Sequence, residues 1–137
     1  MTREQSKFWA GAILYNPKTK SVLLHHRDKD TEVNPDMWGF FGGVNEADET
    51  PLQTLVREIK EELAVDISNY QIIPFLDYFN SHRGLWRYVF KIEFDLNKNQ
   101  MTLGEGQGFN WVPVNEVLGL NLTDKTRQDF EIFIKSL

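Results

Sequence analysis

The chain has 137 residues, 41% apolar and 26% charged, which suits one soluble domain over residues 1–137 with a single core. A net charge of -5 and a pI of about 5.2 exclude general affinity for nucleic-acid polymers, which needs clustered Lys and Arg, and the lack of cysteine excludes disulfides and thiolate metal sites. No basic segment precedes an apolar one near the N-terminus and no run approaches about eighteen apolar residues, so secretion and membrane spanning are not expected and a reducing cytoplasm is.

Phe8 to Tyr15 and Ser21 to Arg27 are β-prone runs around Asn16-Pro17-Lys18-Thr19-Lys20, and the Asn-Pro step predicts a hairpin. His25 and His26 stand in a Val/Leu-rich strand without metal-ligand spacing, so they are read as packing or surface residues, while Arg27 is a candidate contact for phosphate or base. Asp28 to Asp36 is polar, with a turn signal at Asn34-Pro35-Asp36, and leads into Met37-Trp38-Gly39-Phe40-Phe41-Gly42-Gly43, a segment that holds its backbone close to a partner. Thr50 is the expected N-cap of the next helix, with Pro51 at the first helical position and Gln53 completing a capping box. Leu52, Leu55, Val56, Ile59 and Leu63 then fall in one arc of roughly 100°, the width of a core-facing stripe.

Tyr70 to Asn80 reads as a strand in which Pro74 marks an edge or a bulge, and Ser81-His82-Arg83-Gly84 turns the chain. Trp86, Tyr88, Phe90, Ile92, Phe94 and Leu96 alternate with Arg87, Lys91, Glu93 and Asp95, the pattern of a strand with one buried face. His82, Arg83 and Arg87 form a small basic cluster around a hairpin turn, with two readings, a contact for a substrate phosphate or, favoured over it, a solvated turn. Asn97 to Gly108 is a polar loop, Trp111 to Val114 a last short strand, and Thr123 the cap of a final helix with Phe130, Phe133, Ile134 and Leu137 on its apolar face. The fold class expected is α/β (α+β), a mixed sheet with one helix in mid-chain and one at the end.

Glu58, Glu61 and Glu62 share a second flank of the Thr50–Leu63 helix, and like charges three and four residues apart destabilise a helix by a few tenths of a kcal/mol per pair. The helix alone supports two readings, a solvated acidic face or a site for a hard dication such as Mg²⁺ or Mn²⁺. Gly42-Gly43 and Glu49 upstream favour the second.

Gly43, five residues, Glu49, seven residues and Arg57-Glu58-Ile59-Lys60-Glu61-Glu62-Leu63-Ala64-Val65 resemble the Nudix hydrolase signature Gx5Ex7REUxEExGU, with Ala64 in place of the usual glycine. The resemblance covers most of the chain. It implies a mixed sheet between helices and hydrolysis of a nucleoside diphosphate linked to another moiety. Within that likeness Glu58, Glu61 and Glu62 would ligate Mg²⁺ (or Mn²⁺) with the Gly43 carbonyl, and Glu49 and Arg57 would organise them. In MutT-like members a glutamate before the last strand assists, and Glu105 in Gly104-Glu105-Gly106-Gln107 occupies a similar place; a helix glutamate is the competing general base. Trp38-Gly39-Phe40-Phe41-Gly42-Gly43 resembles the W-x-F-P-G-G entry of such members, which makes Phe40 a candidate base contact. Asn121 and Asp124 lie where some members read a purine edge and receive no assignment. The expected substrate is a nucleoside triphosphate or a modified one, cleaved to monophosphate and pyrophosphate. NDP-sugars, ADP-ribose, dinucleotides and a non-catalytic nucleotide sensor are the alternatives, with a small-molecule nucleotide as partner, no membrane or polymer, and a monomer or homodimer.

Overall fold

The computed structural model describes residues 7–32 and 34–137, so residues 1–6 of the expected 1–137 domain lie outside the described residues. The predicted hairpin is present as β1 (Phe8–Asn16) and β2 (Ser21–His26), in register from Leu14↔Leu23 to Asn16↔Ser21. Two short strands, β3 (Trp38–Gly39) and β4 (Phe41–Val44), pair antiparallel with β2 and β1 respectively. β5 (Ile72–Asn80) and β6 (Leu85–Glu93) form a second hairpin, whose register shifts between Pro74 and Leu76. That shift, with β5 at the sheet edge, is what a ring nitrogen without a hydrogen imposes. β6 runs parallel to β1 from Phe8↔Trp86 to Tyr15↔Glu93, and β7 (Gly108–Pro113) lies antiparallel on β2.

The sheet is therefore mixed, with helix α1 (Pro51–Leu63) over one face and α2 (Asp124–Lys135) over the other. Strand alternation sorts the core into two layers. Ala10, Ala12 and Leu14 of β1 and Tyr88, Phe90 and Ile92 of β6 pack with Leu55, Ile59 and Leu63 of α1. Ile13, Val89 and Leu24 point the other way, to Phe130 and Phe133 of α2. Among the described residues no helix is long and apolar enough to cross a membrane.

The N-terminus of α1 forms as predicted: the Thr50 hydroxyl accepts from Gln53 N–H at 3.2 Å, and Gln53 Oε1 accepts from Thr50 N–H at 2.9 Å. At the other end Ala64 adopts the left-handed conformation with φ 57°, where alanine carries a strain of roughly 1 kcal/mol that glycine would not.

Several expectations change. Leu52 is 47% exposed, because the cluster beneath α1 begins one turn later, at Leu55. Leu137 is 60% exposed, since α2 ends at Lys135 before it can join the apolar face. β7 begins at Gly108 rather than Trp111, because pairing with β2 recruits Gly108 and Asn110 against their own propensity. β6 is covered on both faces, so Arg87 is buried and not part of a solvated turn.

Candidate active site

The organising element is one guanidinium. Arg57 donates through Nε to Glu49 Oε2 at 2.7 Å and through Nη2 to Glu49 Oε1 at 2.9 Å, a bidentate pair, and Nη2 also reaches the Val44 carbonyl at 3.1 Å. Nη1 donates to Glu58 Oε1 at 2.9 Å and lies 3.3 Å from both Glu61 oxygens. Glu49 itself accepts from the Thr54 hydroxyl and the Glu46 N–H. Loop, strand end and helix are thereby tied together.

The Arg57 bond, first among the causes, holds the Glu49 carboxyl at about 2, well below its ordinary 4.5. A depressed carboxylate pKa contributes stability that is present above pH 4.5 and lost as pH falls through about 2. Glu49→Gln is expected to cost about 1.5–3 kcal/mol at neutral pH, the range for hydrogen bonds to charged groups, and to flatten stability between pH 4.5 and 2. Urea melts across that window check it, and an unchanged acid limb would refute the assignment.

Glu62 is 5% exposed and faces inward beneath β4, where Gly42 N–H donates to its Oε1 at 3.1 Å. Burial, with the neighbouring Glu58 charge next, pushes its carboxyl up to about 9. Burial also raises Glu58, outweighing the pull of Arg57, and the two carboxyls are close enough for each to shift the other's protonation. Two coupled, desolvated carboxyls favour a proton or a cation to offset their charge. Gly43 lies directly over this pair, and a Cβ there would overlap the Glu58 carboxylate. Hard oxygen donors in a glycine cradle, desolvated and short of positive charge, fit an Mg²⁺ or Mn²⁺ ion. Glu61 differs: its side chain is 57% exposed and turned onto Arg57, and among the described residues no three carboxylate or imidazole groups already converge on one point.

Glu105 belongs to a loop docked on the same helix by backbone bonds. Thr102 N–H donates to Leu63 O at 3.0 Å and Gly104 N–H to Glu62 O at 2.8 Å, which satisfies carbonyls that the end of α1 leaves open. Gln107 N–H continues to His26 O at 2.9 Å. Glycines on either side of Glu105 allow the close approach, since a Cβ at Gly104 would overlap the Glu61 carbonyl and one at Gly106 the His25 ring. His25, read from sequence as packing, does pack, but its Nδ1 also lies 3.5 Å from Glu62 Oε2. Burial lowers its pKa. His26 is placed otherwise, stacked on Trp38 at 4.4 Å and bonded to Asp36.

Beside the glutamates opens a cavity of about 350 Å³, lined among others by Trp9, Arg27, Phe40, Gly42 and Arg87. Gly42 joins the two regions, its amide bonded to Glu62 and its surface lining the cavity. Phe40 is 6% exposed and belongs to the core on the α2 side while contributing to the wall. Arg87, favoured from sequence as part of a solvated turn, is instead 8% exposed, lies over the Trp9 ring at 3.9 Å and donates through Nε to Asp129 Oδ2 at 2.8 Å. Tyr78 hydroxyl donates to the other Asp129 oxygen at 2.6 Å. Arg83 also reaches the cavity, whereas the Asn121 and Asp124 side chains do not line it.

An α/β/α sandwich with this glutamate helix beneath a diglycine strand defines the class of Nudix hydrolases. A profile of the NUDIX domain matches residues 8–135. The chain belongs to that family. It is similar to a dihydroneopterin triphosphate diphosphatase of Haemophilus influenzae, 41% identical over 56 residues; the match covers 41% of this chain and 33%, about a third, of that relative's length. Two solved structures share the fold: a MutT protein described from Aliivibrio salmonicida and Vibrio cholerae, and the E. coli dihydroneopterin triphosphate pyrophosphohydrolase. The first has a TM-score of 0.78 at 20% identity and covers 96% of this chain and 98% of its own. The second has a TM-score of 0.74 at 21% identity and covers 95% and 96%.

Proposed function

We propose that this Nudix pyrophosphohydrolase cleaves a nucleoside triphosphate, or a modified one, to the monophosphate and pyrophosphate. The observation that carries the reading is the desolvated pair of Glu58 and Glu62 carboxyls, linked to the cavity through Gly42 and His25, which touch Glu62 and line the cavity wall. Glu58, Glu61, Glu62 and the Gly43 carbonyl would hold Mg²⁺, with Mn²⁺ as a substitute. When bound, the ion polarises phosphoryl oxygens and lowers the pKa of attacking water. Arg57 and Glu49 keep the helix and the glycine strand in register, so that Glu58 and Glu62 face the diphosphate. Arg27 and Arg87 supply donors to the remainder of the substrate, and Phe40 and Trp9 its apolar wall. Glu105, anchored by its neighbours' backbone bonds, takes the water proton; the helix glutamates are the second candidates for that task.

The test is a substrate panel with purified protein and Mg²⁺: nucleoside triphosphates, oxidised ones, NDP-sugars, ADP-ribose and dinucleotides. Dihydroneopterin triphosphate joins it because the Haemophilus influenzae relative is named for that substrate. Turnover of a triphosphate to monophosphate and pyrophosphate is expected. Preference for an NDP-sugar, ADP-ribose or dinucleotide would replace this reading with that alternative, and metal binding without turnover would indicate a sensor. Glu105→Gln is expected to lower kcat by about 10²-fold, the low end for general acid–base catalysis. Activity near wild type would move the proton transfer to the helix.

A further inference from the structure

His25 stands where helix, glycine strand and loop meet, and no role above uses it. Its ring stacks on Phe41 with centroids 4.8 Å apart and planes at 16°. Its Nε2 is 2.8 Å from the Glu105 carbonyl oxygen. A carbonyl only accepts, so Nε2 carries the hydrogen and a neutral ring leaves Nδ1 as an acceptor. Nδ1 faces Glu62 Oε2 at 3.5 Å, while the other Glu62 oxygen is taken by the Gly42 amide. The Glu62 carboxyl is thus confined between Gly42, Glu58 and the imidazole edge. On the loop side, Gly106 adopts φ +104° and presses its backbone on the ring, where any Cβ would overlap Nε2.

Packing alone does not call for nitrogens at this position. A phenylalanine would stack on Phe41 equally well and would not have to desolvate two polar atoms. What the nitrogens add is a fixed distance between two chain segments far apart in sequence.

We propose that His25 is a positioning residue for hydrolysis: its Nε2–H sets the backbone at Glu105 while its Nδ1 edge limits the orientation of Glu62, so one ring fixes loop carboxylate against helix carboxylate. The role rests on the hydrolase reading above. It differs from a core role in what it predicts for the loop.

The test compares the full chain with His25→Phe, which keeps the stacked ring, and His25→Gln, which keeps a donor. Two readouts are taken: hydrogen exchange of residues 104–107 in metal-free protein, and kcat and KM on the best triphosphate with Mg²⁺. For His25→Phe, KM and Tm are expected to stay close to wild type, kcat to fall about tenfold and exchange at Gly106 and Gln107 to rise about tenfold. His25→Gln should recover part of both losses. A phenylalanine variant with wild-type kcat, or with reduced kcat but unchanged loop exchange, overturns the proposal. Equal losses in the phenylalanine and glutamine variants also overturn it. A wild-type chain without turnover defeats the hydrolase reading and this role together, whereas an active wild type matched by His25→Phe defeats this role alone.

Discussion

Glu62→Gln is expected to remove nearly all turnover while leaving the metal-free protein as stable as the wild type or more so. In the absence of metal the Glu62 carboxyl, pushed up to about 9, keeps its proton at neutral pH, so an amide replaces a neutral group of nearly the same shape. The bond from Gly42 N–H to Oε1 survives, and no charge is added beside Glu58. Turnover has no such substitute, because an amide brings no charge to the ion. Loss of several kcal/mol of transition-state stabilisation corresponds to about 10³-fold in kcat. Glu58→Gln is expected to lose as much activity but to cost stability as well, since Arg57 forfeits a charged acceptor at 2.9 Å. Thermal melts in a chelator and steady-state rates with Mg²⁺ measure both quantities. A Glu62→Gln protein that melts well below the wild type, or turns over at a similar rate, contradicts the account.

Asp129→Ala is expected to destabilise the fold by about 3–5 kcal/mol, the cost of leaving one member of a buried ion pair alone. Asp129 is fully buried, and burial pushes its carboxyl up against the pull of Arg87 and Tyr78. With it gone, the guanidinium of Arg87 keeps the Trp9 face but loses its charged partner, and the Tyr78 hydroxyl loses that acceptor. The same contacts join α2 to β5 and β6, so the loss falls on the docking of a whole helix. A double replacement, Arg87→Leu with Asp129→Leu, should recover much of the stability, because an apolar pair leaves no charge stranded. It should nonetheless weaken substrate binding, since Arg87 lines the cavity. Urea midpoints of the three proteins decide: a cost below about 1 kcal/mol for Asp129→Ala would show the pair to be solvated.

The contrast between these two sites explains what was legible in the sequence. The helix that carries Glu62 is largely local: the capping box, the apolar stripe from Leu55 to Leu63 and the Arg57–Glu49 pair lie within a short stretch, so spacing alone places them. Arg87 and Asp129 are 42 residues apart, and only the docking of α2 on the second face of β6 brings them together. Reading β6 as half-solvated therefore hid both. His25 was closer to reach. It has the same strand parity as Leu23, which faces α1, so carrying the alternation two residues further would have aimed an imidazole at the glutamate helix. The Glu105 loop was the least legible part, because the bonds that dock it come from backbone groups that every residue carries. Only the two glycines beside Glu105 betrayed the close approach.

The parallel pairing of β1 with β6 also has a consequence for biogenesis. β1 is synthesised before its partners and finds its antiparallel neighbours β2 and β4 early, yet its other edge stays open until residues 86–93 have been synthesised. Until then Ala10, Ala12 and Leu14 lack the Tyr88, Phe90 and Ile92 side chains that complete their layer. The glutamate helix is held against that same layer, so it gains its final platform only once β6 has been made. Closure of so long a loop precedes any reward from the contacts it makes, which places the slow step of folding late and leaves the nascent segment from β1 to α1 as the one most in need of chaperone shelter.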